Sequence, residues 1–232
     1  FVLGFAIFAS FFGAGNLILP PMIGFNAGPD WWLVAIGFLS SATVIPLLAL
    51  LGFARLQGSL MDFSQKVSSK FSLVFSIGIY GIAVILASPR TAAVTHEMAV
   101  QPYFETDSLL TSSIYFSLVF VFVINRGKVM EVLGKYLSPI IGIIILTIIG
   151  IGLFAPSEMM LEGKYNSPYI NGFLEGYQTY DALAGLIMGG VMVITLKNSK
   201  NYVTDHDKKM MIARSSFIAM MGLLIIYVGM IF

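Results

Sequence analysis

Apolar runs of about 20 residues, the length that crosses a bilayer as a helix, recur along the chain between short polar stretches. Seven such segments can be marked: 1–25, 31–54, 71–93, 109–124, 137–154, 170–196 and 210–232. Only 11% of the residues are charged, against about 25% in soluble domains. The period-2 alternation with regular turns that a transmembrane β-barrel needs is absent. The expected fold class is therefore an all-α membrane protein with about seven transmembrane helices.

The same composition narrows function. A net charge of +1, with no basic tract, gives no support for nucleic acid as a partner. There is no cysteine, so disulfides and thiolate metal sites are excluded. Ser88 and His96 lack a nucleophile elbow and a third group to orient the base, and no zinc-binding helix motif occurs. An enzyme is not expected, and no cofactor is implied beyond a coupling ion. The chain starts at Phe1 and stops at Phe232, both in apolar sequence, and is expected to be a piece truncated at both ends. Its first segment has neither the basic start nor the small-residue cleavage site of a signal peptide.

Bases in the short loops set the orientation. They lie after segment 2 (Arg55, Lys66, Lys70), segment 4 (Arg126, Lys128, Lys135) and segment 6 (Lys197, Lys200, Lys208, Lys209, Arg214). The loops after segments 1, 3 and 5 carry Asp30, then Glu97, Glu105 and Asp107, then Glu158 and Glu162 with Lys164. The base-rich loops are predicted to be cytoplasmic, which puts the N-terminus on the same side. Trp31 and Trp32 then reach the outer interface.

Two segments are interrupted. Segment 1 contains Gly13-Ala14-Gly15-Asn16 and then Pro20-Pro21. Glycine eases departure from helical geometry and proline removes a donor. Backbone freed in this way must be buried in protein or line a wet cavity. The glycines alone are equally compatible with close helix packing; Asn16, a strong polar group beside them, points to a site. The double proline is expected to end the first crossing. Segment 6 reads "NGFLEGYQTYDALAGL" over 171–186 and places Glu175 and Asp181 in apolar surroundings, where carboxylates are expensive and functional by default. Asn171 and Glu175 fit an outer loop as well as a span. Starting the span beyond Asp181 leaves only about 15 residues, too few to cross.

Segment 1 starts inside and segment 6, five segments later, starts outside. Broken helices at matching places in oppositely oriented repeats are the mark of a secondary transporter with its site at the midplane. Helix N-termini at such breaks suit an anion, and freed carbonyls and side-chain oxygens suit Na⁺.

"FFGAGNLILPP", "SPRTAAVTHE" and "GFLEGYQTYDALAGL" resemble, in this order along the chain, the signatures of bacterial branched-chain amino acid:cation symporters (the LIVCS family, BrnQ-type carriers). The resemblance implies Na⁺-coupled uptake of leucine, isoleucine and valine through a multi-pass protein of the cell inner membrane. It also implies the five-plus-five inverted-repeat, leucine-transporter-like fold with helices 1 and 6 broken. On that reading 1–232 is one transmembrane domain, in which 1–155 forms the first repeat and 169–232 begins the second. Similarity to that fold puts the Asn16 amide oxygen and the Phe11 carbonyl at one sodium, with Thr179 as its hydroxyl ligand. Ala9 and Phe12 carbonyls fall near a second. The amides of Gly13, Ala14 and Gly15 then face the substrate carboxylate, and Tyr177, Gln178 and Tyr180 line the pocket. Where related sodium:neurotransmitter symporters carry a gate arginine, this chain has Leu19; Arg90 is expected to replace it or to pair with Glu175 or Asp181, the alternative being that it snorkels to the interface.

The competing readings are a proton-coupled permease with Asp181 or Glu175 as carrier and, in another class, a membrane enzyme or channel. His96-Glu97 is expected as a solvated outer-loop pair rather than a proton relay. Met159-Met160, Met210-Met211 and Met220-Met221 are read as adaptable packing, Pro46 and Pro139 as kinks. Asp62 and Gln65 are placed on an inner interfacial helix. Partners are branched-chain amino acids and membrane lipid, with no obligate protein partner.

Overall fold

The computed structural model describes residues 2–124, 133–154, 163–197 and 204–232. Arg126, Lys128, Glu158, Met159, Met160, Glu162 and Lys200 lie outside the described residues. The described chain is helical. Helix α1 (Val2–Phe11) is followed by α2 (Ala14–Ala27), α3 (Trp31–Leu39), α4 (Ile45–Leu56), the short α5 (Leu60–Gln65), α6 (Ser69–Ile82), α7 (Ser88–Thr95) and α8 (Ser108–Ile124). Beyond these come α9 (Ser138–Phe154), α10 (Pro168–Tyr177), α11 (Asp181–Lys197) and α12 (Asp205–Ile231).

Each of the seven expected segments is helical, but fewer are long enough to span alone. Among the described residues four continuous helical stretches are long and apolar enough to cross a membrane, and five if α10 and α11, bent by 42°, are one span. The difference has three causes. The first segment is cut at Phe12-Gly13, which leaves α1 with 10 residues. Residues 14–56 run as one helical stretch because a 3₁₀ turn, Gly28–Asp30, replaces the expected loop. Helix α8 has 17 residues, just short of a full crossing.

Side-chain neighbours fix the relative directions. Gly4 lies against Ser215 and Ile218, Phe8 against Gly222, and Gly24 against Ile231, so α1–α2 and α12 run parallel. Val34 meets Gly172, Phe38 meets Gly176 and Pro46 meets Gly185, so α3–α4 run parallel to α10–α11. Trp31 stacks edge-on against Phe232 and Phe38 against Tyr227, which makes α3 antiparallel to α12. The chain therefore reverses at Gly28, whose φ of 55° is cheap only for glycine.

The α3–α10 crossing brings backbone against backbone at several points. A Cβ on Gly172 would overlap the Val34 carbonyl, and one on Gly37 the Tyr169 carbonyl. Ser41 Oγ donates to the Phe173 carbonyl across the same contact (2.7 Å). Small residues at a membrane-helix crossing let backbones touch, and dispersion replaces the hydrophobic drive that lipid does not supply. The buried core, with Ile7, Phe11, Phe38, Leu50, Phe53, Met192 and Tyr227 among its members, gathers where these helices meet α12.

Among the described residues four π-helical turns, Ser40–Val44, Ala83–Ala87, His96–Val100 and Leu133–Leu137, each end two residues before a proline: Pro46, Pro89, Pro102 and Pro139. Proline cannot donate, and its ring crowds the carbonyl four residues back. Widening the preceding turn relieves this. Gln101 N–H reaches the His96 carbonyl, five residues back, at 2.8 Å. The expected kinks at Pro46 and Pro139 take this form. Pro20 and Pro21 behave otherwise: α2 runs through both to Ala27, so the double proline does not end the first crossing.

His96 is also placed differently from its sequence expectation. Helix continues past it to Val100, and its ring is buried, with Nδ1 3.0 Å from Thr111 Oγ1 of α8. The expected solvated loop begins only after the next turn. Asp62 and Gln65 lie on the short helix α5, where Asp62 accepts from the Ser59 N–H (2.7 Å) and hydroxyl (2.8 Å). These bonds, backbone first, hold its carboxyl below the usual carboxylate range.

Candidate functional site

The first interruption is two residues long. Phe12 N–H closes the last turn of α1 on the Phe8 carbonyl (3.1 Å), and Gly13 N–H turns back to the Phe11 carbonyl (3.0 Å). Helix resumes at Ala14. Asn16, third in α2, accepts from the Gly13 N–H on its side-chain oxygen (3.3 Å), which caps the new helix from within. Gly13 and Phe11 thus bond to each other, and the first-turn amides of Ala14 and Gly15 are the ones a helix start leaves over.

The second interruption follows α10. Gln178 N–H bonds the Leu174 and Glu175 carbonyls, and Thr179 Oγ1 donates to the Gly176 carbonyl (2.7 Å). Tyr180 adopts φ 63°, a left-handed conformation rare for an aromatic residue. Such backbone strain costs of order 1–3 kcal/mol and collects at functional sites. Asp181 then begins α11, its N–H donating to Thr179 Oγ1 at 3.4 Å.

The two interruptions face each other. The Cβ position of Gly15 lies 3.7 Å from Thr179 Cα. Asn16 Nδ2 donates to Asp181 Oδ2 at 2.7 Å and also to the hydroxyl of Tyr227. Tyr227 in turn donates to the same Asp181 oxygen at 3.2 Å. All three residues are buried, Asp181 to 2% exposure. The edge-on contact of Phe38 with the Tyr227 ring (centroids 5.2 Å apart) fixes where that hydroxyl can point. Asn16, Thr179 and Asp181 were expected at the site from sequence. Tyr227 was not, and its signal was thin: a lone phenol in an otherwise apolar run.

Arg90, on α7, stands between the interruptions. Its Nη1 donates to the Gln178 carbonyl at 2.6 Å and its guanidinium lies 5.8 Å from the Tyr180 ring centroid. It makes no ion pair with Glu175 or Asp181: among the described residues the ion pair is Lys208–Asp205. The carboxylates are engaged elsewhere, Asp181 as above and Glu175 by Gln178 Nε2 (3.1 Å). Arg90 therefore holds a carbonyl freed by the break rather than a charge. Leu19 is buried in the core.

A cavity of about 510 Å³ opens on the other side of the first interruption. Phe12, Gly13, Ala14 and Leu17 form one wall, Thr91 and Thr95 of α7 with Met98 just beyond it another, and Ile141, Ile144, Ile145 and Ile148 of α9 the third. Its surface is almost wholly apolar apart from the threonine hydroxyls and the glycine backbone. Tyr177, Gln178 and Tyr180 do not line it, and Tyr177 is 62% exposed. Ala9, half-buried, lies in the last turn of α1.

The oxygens gathered at Asp181 are its own carboxylate and the hydroxyls of Thr179 and Tyr227, while Asn16 turns its Nδ2 donor toward them. That set fits a hard cation such as Na⁺ and not a soft metal.

Comparison with known proteins gives the family. The family model described as "Branched-chain amino acid transport protein" matches residues 1–232. The "Branched-chain amino acid transport system 2 carrier protein" of Pseudomonas aeruginosa is 34% identical over 99% of this chain and 54% of its own length. The "Branched-chain amino acid permease BraB" of Bacillus subtilis is 33% identical over 99% of this chain and 53% of its own. The "Branched-chain amino acid permease BrnQ" of Salmonella typhimurium is 35% identical over 82% of this chain and 45% of its own. The chain thus spans about half the length of the curated relatives it matches. No solved structure matches it. The relatives carry transporter names, not enzyme names, and the chain, a multi-pass helical membrane protein, belongs to the family of branched-chain amino acid transport proteins.

Proposed function

We propose that this chain forms the first repeat (1–155) and the start of the second (169–232) of a Na⁺-coupled symporter that imports leucine, isoleucine and valine. Its architecture is the five-plus-five inverted repeat with helices 1 and 6 broken, in a bacterial inner membrane, N-terminus cytoplasmic. The observation that carries the reading is the meeting of two helix interruptions through Asn16 and Asp181. The parallel pairs α1–α2 with α12 and α3–α4 with α10–α11 are compatible with spans that alternate in direction. The names of the relatives suggest the substrate class.

In this reading the Ala14 and Gly15 amides receive the substrate carboxylate at the start of α2, where the helix dipole is positive. The apolar cavity takes the branched side chain. A pocket of that kind separates side chains differing by one methylene by only about 1–3 kcal/mol, so the three substrates compete. Asn16, Phe11 and Thr179 hold the sodium beside the substrate, and Ala9 and Phe12 a second. The bound cation lowers the cost of the substrate carboxylate, and the effect is mutual. Arg90, on the carbonyl of Gln178 and the ring of Tyr180, ties the third segment to the second interruption and acts as the outer latch.

The deciding experiment is uptake of labelled leucine by the full-length protein in proteoliposomes, with an inward Na⁺ gradient or with choline in its place. Uptake should require Na⁺ and saturate with leucine. Uptake that persists in choline and collapses with a protonophore instead identifies a proton-coupled permease, a reading that the buried Asp181 also favours.

A further inference from the structure

Asp181 is a carboxylate among neutral groups. It is buried at the junction of α2, α11 and α12. Arg90, beside the second interruption, has its guanidinium on the Gln178 carbonyl and the Tyr180 ring. Arg55 and Lys197 lie at the far ends of α4 and α11. Asn16 and Tyr227 both donate to Oδ2 of Asp181, and the Thr179 hydroxyl stands within reach of the same carboxyl. Among the described hydrogen bonds none ends on Oδ1. An ionised carboxylate buried without a compensating positive charge is costly in any apolar medium, and more so at membrane depth. Two donors ease that cost but bring no net charge.

The geometry therefore points to Asp181 as the anionic ligand of a Na⁺ site, the ion supplying the positive charge that no described side chain brings to this carboxylate. Oδ1 faces the ion, with the Thr179 hydroxyl beside it, and Tyr227 is a positioning residue that anchors Oδ2. This rests on the transport reading only for its physiological meaning. In that reading the sodium's charge is met by the substrate carboxylate and neutral oxygens. Here the protein supplies the negative charge itself, so Na⁺ should bind without leucine. The Tyr227 hydroxyl, seated by the Phe38 ring, brings α12 into the site and so connects ion occupancy to a helix that carries neither interruption.

The test is Na⁺ binding by the full-length protein in detergent, without leucine. It is read as radiolabelled Na⁺ retained and as thermal stabilisation in NaCl over choline chloride at equal ionic strength. The wild type should show saturable stabilisation. Asp181→Asn should weaken the Na⁺ midpoint by about 100-fold or abolish it, since charge count among ligands sets affinity for hard cations. Tyr227→Phe should weaken it about 10-fold, the usual effect of losing a group that orients a ligand, while its unfolding temperature in choline gives its structural cost separately. If Asp181→Asn fails to fold, Asp181→Glu and Tyr227→Phe decide, because a displaced or unanchored carboxylate must also weaken Na⁺. Wild-type midpoints in the folded variants overturn the assignment. So does a wild type that ignores Na⁺ and responds only to acid. If Na⁺ binds in an Asp181-dependent manner but no leucine moves in proteoliposomes, the site stands and the transport reading falls.

Discussion

Asn16 does two things at once. Its oxygen caps the helix it belongs to, and its amide nitrogen reaches a carboxylate from a distant segment. Asn16→Ala leaves a buried acceptor short of a donor, a loss of about 1–3 kcal/mol. It should abolish the sodium dependence of leucine uptake, as should Thr179→Ala. Uptake curves against Na⁺ that superimpose on wild type for both variants would remove these residues from the ion site. Arg90→Lys keeps a charge for the Gln178 carbonyl but loses the flat face over Tyr180, a contact worth about 0.5–2 kcal/mol. Uptake should fall several-fold in Arg90→Lys and further in Arg90→Ala; unchanged rates in both, in folded protein, refute the latch. These residues were legible because each is a polar group where the sequence is otherwise apolar. Tyr227 was hidden because a tyrosine sits comfortably in a membrane helix, and its partner lies 46 residues away at a register that no local pattern reveals.

Among the elements, the α3–α10 crossing gives the sharpest contrast. Gly172→Ala drives a methyl into the Val34 carbonyl, and overpacking of this kind costs about 1–3 kcal/mol. Gly78→Ala on α6 meets nothing within 4 Å and should be neutral, or stabilising by up to about 1 kcal/mol through helix propensity. Thermal midpoints in detergent should therefore move in opposite directions or for Gly172 alone; equal shifts would mean that the crossing is looser than described. Helix α5 carries a pH prediction. Because the folded Asp62 carboxyl is depressed, its cap is fully formed above the unfolded carboxylate value of about 4 and is lost as pH falls through the lower folded value. Backbone hydrogen exchange over Leu60–Gln65 should quicken below that range, once corrected for intrinsic rates, and Asp62→Asn should remove the pH step. Helix positions were readable from hydrophobic runs. The continuity through Pro20-Pro21 was not, because a proline rule describes one helix in isolation. Neither was the burial of His96, which depends on how α8 folds back.

At the scale of the molecule, the alternation of basic loops requires neighbouring spans to run oppositely, and the contacts between helices have the relative directions that such alternation demands. That much follows from counting lysines and arginines. What counting leaves open is which spans touch, since lipid-facing and protein-facing apolar surfaces look alike in a sequence. The four π turns have a consequence of their own. Each contains one residue more than an α-helical turn, and a single residue rotates everything after it by about 100° about the helix axis. Deleting Ala42, inside the turn before Pro46, would therefore do more than shorten a helix by a step. It would turn the whole face of α4, with Leu50 and Phe53, away from its neighbours, while the α3 contacts with α10 stayed as they are. The prolines thus mark places where a change of length matters more than its size suggests: each acts as a dial setting, and one lost residue moves the dial by more than a quarter of a revolution.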